Sequence, residues 1–307
     1  MRIKFLSIAI LPVVSILFFF GSAECILKII GFKPTLTIDG GNIPFWARNS
    51  QSVINGIQTL STSQSPLSDD VNAYEDDLLL CYRLIPQLNI SVKFYDLSGR
   101  KLKGNFPNWT IITDSTGHRV SGNQLLKNNE KSSLFKYQTK IAVMGGSSFF
   151  GWGLNYDDVF ISQLEVSLNK KFPDILFNCI NYSAPGYAMS QHLLILKQLI
   201  NGGIIPDIII LDATSNCDVP VFLTDKDAEL KRLSIPGKLK FNLERFRFFQ
   251  ALEMLVTKVL NTKKIPPPSL TPRIPLNEYT DYLTYFQKLT REYHIKFIMI
   301  GLCVSKE

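Results

Sequence analysis

The stretch Lys140-Ile-Ala-Val-Met-Gly-Gly-Ser-Ser-Phe-Phe-Gly151 places a serine just beyond a short apolar run and two glycines. A strand followed by Gly145 and Gly146 can turn tightly where a side chain would clash. If a helix follows, its first N–H groups gather around Ser147. A nucleophilic serine needs such a place: an exposed Oγ, with donors nearby for a developing oxyanion. The same pattern also serves as a plain strand-to-helix turn, so the stretch is read with its partners.

Two later segments have the same character. Asn178-Cys-Ile-Asn-Tyr-Ser-Ala-Pro-Gly-Tyr187 follows one apolar run, and Ile208-Ile-Ile-Leu-Asp-Ala-Thr-Ser-Asn216 contains the next. Strands alternate with helical patterns along this part of the chain. Phe160, Leu164 and Leu168 recur at helical spacing, and Leu193, Leu196 and Leu199 do so before Gly202-Gly203. Ser190 is expected to cap the second of these helices. Such alternation predicts a parallel α/β sheet with active loops at the carboxyl ends of its strands. Ser147, Gly186 and Asn216 all fall at such ends.

Together the three segments resemble the SGNH (GDSL-like) hydrolase family. The resemblance implies a three-layer α/β/α, flavodoxin-like parallel sheet, and no metal or organic cofactor. It implies Ser147 as nucleophile, with Gly186 and Asn216 as oxyanion donors beside the Ser147 N–H. The family's usual Gly-Asp-Ser reads Gly-Gly-Ser here, with Gly146 in the middle. Its Gly-x-Asn-Asp block reads Thr214-Ser215-Asn216-Cys217, and Asp218 stands one place late. The fourth block, Asp-x-x-His, is missing. Ser115, Met189 and Arg291 stand three residues before His118, His192 and His294, so none of the three histidines fits it. His118 also precedes the serine, His192 reads as a surface or capping residue, and His294 ends the helix before the last strand. The catalytic base is therefore unknown, and a serine without a base loses most of its nucleophilicity.

Lys296 to Val304 reads as a buried parallel strand, after which Ser305-Lys306-Glu307 closes the sequence. A doubly wound sheet rarely stops on a strand, so the reading here is a C-terminally incomplete domain. A deliberately inactive homologue is the second reading.

The supporting elements set three regions. Residues 1–30 form an N-terminal anchor: Arg2 and Lys4 precede the uncharged, apolar run from Phe5 to Ala23. Nineteen helical residues cover about 28 Å, near the hydrocarbon thickness. The basic flank places the bulk of the chain extracytoplasmic, periplasmic or at the cell surface. The alternative is secretion after cleavage near Ala23. Residues 34–138 form a β-rich accessory region of short alternating runs such as Ile90–Tyr95 and Trp109–Thr113. Trp109 and Tyr82 there are open to glycan contact or to packing. Residues 139–307 form the hydrolase-like domain, with an amphipathic basic insertion at 219–275. Between Lys226 and Arg273 eleven basic residues face four acidic ones. That segment could lie on anionic lipid, cover the site, attract an acidic polysaccharide, or form a solvated helix face. Pro266–Pro268, Pro272 and Pro275 read as a stiff linker.

The formal net charge of +7 is no argument for nucleic acid in an anchored, extracytoplasmic chain. The five cysteines show no metal-ligand spacing. Cys179 and Cys303 read as buried strand residues. The function implied is a membrane-anchored serine esterase or acyltransferase acting on an O-acylated carbohydrate or lipid of the cell envelope, inactive without its base. A non-catalytic binding or scaffold protein of the envelope is the alternative. Acyl group, acceptor and oligomeric state are not legible.

Overall fold

The computed structural model describes residues 2–32, 36–38, 41–43, 73–92, 109–121, 137–221, 224–260 and 271–301. Helix α1 covers Arg2–Ile29 and contains the apolar run expected to cross a membrane. The side chains of residues 1–11 and 13 lie outside the described set. Among the described residues no helix is long and apolar enough to cross a membrane.

The accessory region contributes antiparallel pairs. Strand β1 (Leu36–Ile38) pairs with β2 (Gly41–Ile43), β3 (Tyr74–Asp77) with β4 (Cys81–Leu84), and β5 (Asn89–Val92) with β6 (Trp109–Ile112). Asp77 Oδ1 accepts from the Leu79 and Leu80 N–H groups, each at 2.8 Å, and so forms the β3–β4 turn.

The main domain is a mixed α/β fold. Its strands are β7 (Tyr137–Met144), β8 (Ile175–Asn181), β9 (Ile208–Asp212) and, after a short ladder described below, β12 (Lys296–Ile300). They form one parallel sheet in the order β12-β9-β7-β8. Between them lie α2 (Ser147–Phe150), α3 (Phe160–Lys171) and α4 (Met189–Asn201). The period-2 rule divides β7 between two cores. Ile141 and Val143 join Phe149, Ile161, Phe177 and Ile210 on the α3 side. Ala142 and Met144 join Met189, Leu196, Leu211 and Phe286 on the other. Helix layers therefore cover both faces. Full burial of Phe150 and of Phe286 contributes about 1.5–3 kcal/mol each.

The segment after Asn216 leaves the sheet through β10 (Pro220–Val221) and returns through β11 (Thr271–Pro272), which pair antiparallel. Between them stand α5 (Asp225–Leu233), α6 (Ile235–Leu243) and α7 (Arg247–Leu260). Helix α8 (Leu276–Glu292) then packs beside α4 and leads into β12.

Four local expectations change. Ser190 lies inside α4 rather than at its cap; the Gln191 side chain takes the cap role, accepting from the Ala188 N–H at 3.0 Å. Among the described residues β12 has β9 as its one strand neighbour, and Ile298 and Met299, on opposite faces, are exposed rather than buried. Pro272 stands in a ladder, not a linker, because Arg273 and Ile274 beside it are buried. His192 is buried between α4 and its neighbours, not at the surface. Pro266–Pro268 and Cys303 lie outside the described residues, while Cys179 is buried as read.

Candidate active site

The turn after β7 is shaped by its two phenylalanines. Phe149 enters the α3-side core and Phe150 the opposite one. With both rings pulled inward, Ser147 and Ser148 are left exposed on top of the turn. Glycine is required on both preceding positions. A Cβ on Gly145 would lie 2.6 Å from Phe149, and one on Gly146 would lie 2.8 Å from Ser215 Oγ and 3.0 Å from Asn216 Nδ2. The first helical bond here runs from the Phe150 N–H to the Gly146 carbonyl at 2.9 Å, so the Ser147, Ser148 and Phe149 N–H groups precede it.

The third segment thus packs directly onto the first. Asp212, fully buried at the end of β9, accepts from the Thr214 N–H at 3.2 Å and the Thr214 hydroxyl at 3.1 Å. It also accepts from Ser215 Oγ, and more distantly from Ser148 Oγ at 3.5 Å. These bonds turn the chain so that Asn216 sits at φ +57°, a left-handed conformation asparagine tolerates. Asn216 Nδ2 then donates to the Tyr187 carbonyl at 2.8 Å, one residue past Gly186. Gly186 itself has φ +80°, and a Cβ there would lie 2.4 Å from the Tyr82 hydroxyl. Ser147, Gly186 and Asn216 are therefore carried by loops in mutual contact. The site lies where β7 and β9 diverge in strand order, which is where open α/β sheets bind ligands.

Three residues that sequence reasoning passed over hold these loops. Arg273, buried, donates to the Gly186 carbonyl, to Asp225 Oδ1 at 2.7 Å and to Gln191 Oε1 at 3.1 Å. Arg119, also buried, donates to the Phe150 and Gly151 carbonyls at 2.6 and 2.8 Å, to Thr110 at 2.9 Å and to Leu154. Burial pushes the Arg119 guanidinium down to about 10. Asp212 is the third. Nothing in the composition distinguishes either arginine from surface cations, whereas Asp212 followed by Thr and Ser carries an Asx-turn signal. Tyr82 and Trp109 are both buried and serve packing. The Tyr82 hydroxyl donates to the Pro185 carbonyl, and the Tyr187 hydroxyl donates to the Tyr82 carbonyl at 2.7 Å, so β4 braces the second loop.

The histidines lie elsewhere. His192 has neither ring nitrogen hydrogen-bonded among the described residues. Burial, assisted by the nearby Arg273 charge, pushes it down to about 3. His294 precedes β12, at the amino edge of the sheet, opposite Ser147. His118 Nδ1 meets Thr116 Oγ1 at 2.6 Å and Asp114 Oδ2 at 3.6 Å. Burial opposes ionisation of Asp114, but bonds from His118 and Thr116 prevail and hold its carboxyl well below the usual range. The His118 ring stands edge-on to Tyr182, beside a cavity of about 400 Å³ that Arg83, Ser183 and Leu199 also line. None of the three histidines hydrogen-bonds Ser147 among the described residues. No group of three or more His, Cys, Asp or Glu side chains placed to hold a metal ion occurs among them either.

No family model and no curated protein matches the chain. Solved structures similar to it include TesA, at 14% identity and TM-score 0.25, covering 52% of this chain and 77% of that one. AlinE4, an SGNH-hydrolase family esterase, is 18% identical with TM-score 0.24, covering 52% and 75%. The psychrotrophic esterase EstA from Pseudoalteromonas sp. is 16% identical with TM-score 0.24, covering 53% and 77%.

Proposed function

We propose that the chain is an SGNH-type serine esterase or acyltransferase with Ser147 as nucleophile. Ser147 Oγ attacks the carbonyl carbon of an ester. The carbonyl oxygen becomes an oxyanion held by the Ser147 N–H, the Gly186 N–H and the second Nδ2 proton of Asn216. The Ser147 proton passes to solvent and the departing alcohol takes one back from it, which keeps turnover slow; water or an acceptor hydroxyl then removes the acyl group. The reading extends to an O-acylated carbohydrate or lipid of the cell envelope as substrate, and to α1 as an anchor that leaves the bulk of the chain extracytoplasmic. Cleavage near Ala23 would give a secreted form instead.

The observation that carries this reading is the contact of the Gly146 turn with Asn216, and of Asn216 with the Gly186 loop, around an exposed Ser147. The burial of His192 and the remote edge position of His294 favour a second reading, in which the site binds an ester or glycan without turning it over.

Active-site labelling separates the two. An alkyl fluorophosphonate is expected to phosphonylate Ser147, slowly alone and faster with added imidazole, which supplies an external base. Peptide mass mapping locates the adduct. Labelling confined to other serines, or unchanged by Ser147→Ala, would overturn the catalytic reading in favour of the binding one.

A further inference from the structure

Helix α7 seats its first turn on the end of α1. The Phe248 ring contacts those of Phe19 and Phe20 edge-on, at 6.0 and 4.8 Å between centroids. The Phe248 N–H donates to Glu24 Oε2 at 2.9 Å, and Arg247 donates to the Phe32 carbonyl. Lys240 of α6 pairs with Glu244 at 3.4 Å and with Glu253 of α7 at 2.9 Å. These bonds tie α6 and α7 to each other and to α1.

The apolar stripe of α7 does not end at this contact. Leu252, Leu255 and Val256 follow Phe248 at i+4, i+7 and i+8, on the same face. Phe248 is partly covered by α1, whereas those three are exposed. Ile235 and Leu239 of α6, one turn apart, are also exposed, as are Phe18, Phe19 and Ile26 of α1. Exposed apolar side chains gathered on helices that are tied together in this way mark an interaction site. The cations around it identify the occupant. Lys231, Lys238 and Arg245 are exposed on and next to α6, close in sequence to Ile235, Leu239 and the exposed Phe246, within the segment where basic residues outnumber acidic ones by seven. A second copy would bring like charge to like charge. An anionic lipid surface meets both the stripe and the cations.

We infer that α6 and α7 form a platform lying in the headgroup region of an anionic membrane, directly beside α1. The inference deepens the anchored reading of α1 and is independent of the chemistry at Ser147.

The full chain carrying Leu255→Trp, and separately Leu252→Trp, tests it against the unsubstituted protein. Vesicles of phosphatidylcholine are compared with an equimolar mixture of phosphatidylcholine and phosphatidylglycerol. The added tryptophan is expected to shift to the blue and to be quenched by brominated lipid in the anionic vesicles. Lys238→Gln and Arg245→Gln are expected to lower partitioning about five-fold per cation removed. If the chain floats with vesicles but neither added tryptophan is quenched, α1 anchors and the platform is refuted. If the chain does not float at all, anchor and platform both fall. A blue shift without lipid that grows with protein concentration would make this face a contact between copies, and would also overturn the inference. Phosphonate labelling of Ser147 is scored separately and stands or falls alone.

Discussion

Asn216 donates through Nδ2 to the Tyr187 carbonyl at 2.8 Å, joining two loops separated by 29 positions in the chain. One amide proton is spent on this bond, and the other remains for a ligand oxygen. Asn216→Ala removes both and leaves a β-carbon at φ +57°, so it should cost about 1–3 kcal/mol in urea denaturation. Asn216→Gly relieves the backbone strain and should cost less. Both should slow phosphonylation of Ser147, by about 10²–10³ if the amide is an oxyanion donor. Equal labelling rates in parent and variants would assign Asn216 to structure alone.

Gly186 has a different constraint. Gly186→Ala forces a β-carbon to within 2.4 Å of the Tyr82 hydroxyl at φ +80°. A loss of about 2–4 kcal/mol is expected from strain and displacement together. Adding Tyr82→Phe removes the clashing oxygen, so the double variant should lose less than the sum of the single losses. Strict additivity in the cycle would show that the second loop is not braced by β4.

Arg119 acts through shape as much as charge. Its guanidinium reaches the carbonyls of Phe150, Gly151, Thr110 and Leu154, which the single ammonium of lysine cannot span. Arg119→Lys should therefore destabilise by about 3 kcal/mol or more, since buried carbonyls lose their donors. Hydrogen exchange should rise first in the turn from Ser147 to Leu154. A variant as stable as the parent would show that the accessory region does not hold that turn.

His192 makes stability depend on pH. Its folded value of about 3 lies below the ordinary 6.5, so the unfolded chain binds the extra proton between these limits. Stability contributed by the neutral ring is whole above about 6.5 and is lost as pH falls toward 3, with a slope of at most about 1.4 kcal/mol per pH unit. His192→Leu should flatten that part of the denaturation profile. An unchanged slope would mean the ring is reached by water in solution.

The strand–helix alternation and the three loop ends are legible in the residues themselves. Continuous apolar runs such as Ile208–Leu211 and helical repeats such as Leu193, Leu196 and Leu199 carry their periods locally. The glycines at 145, 146 and 186 were legible because a turn or a left-handed residue leaves its mark in residue type. Tertiary structure alone decided the rest. Arg119 and Arg273 look like any surface cations in a basic chain, yet each is enclosed by carbonyl or carboxylate acceptors far away in sequence. His192 sits at a helical position whose burial depends on which neighbours pack over α4. Ile298 and Met299 of β12 are apolar but exposed, because the burial of a strand's faces depends on what packs over them. Burial and partner choice depend on contacts between distant segments, and local periodicity holds no record of them.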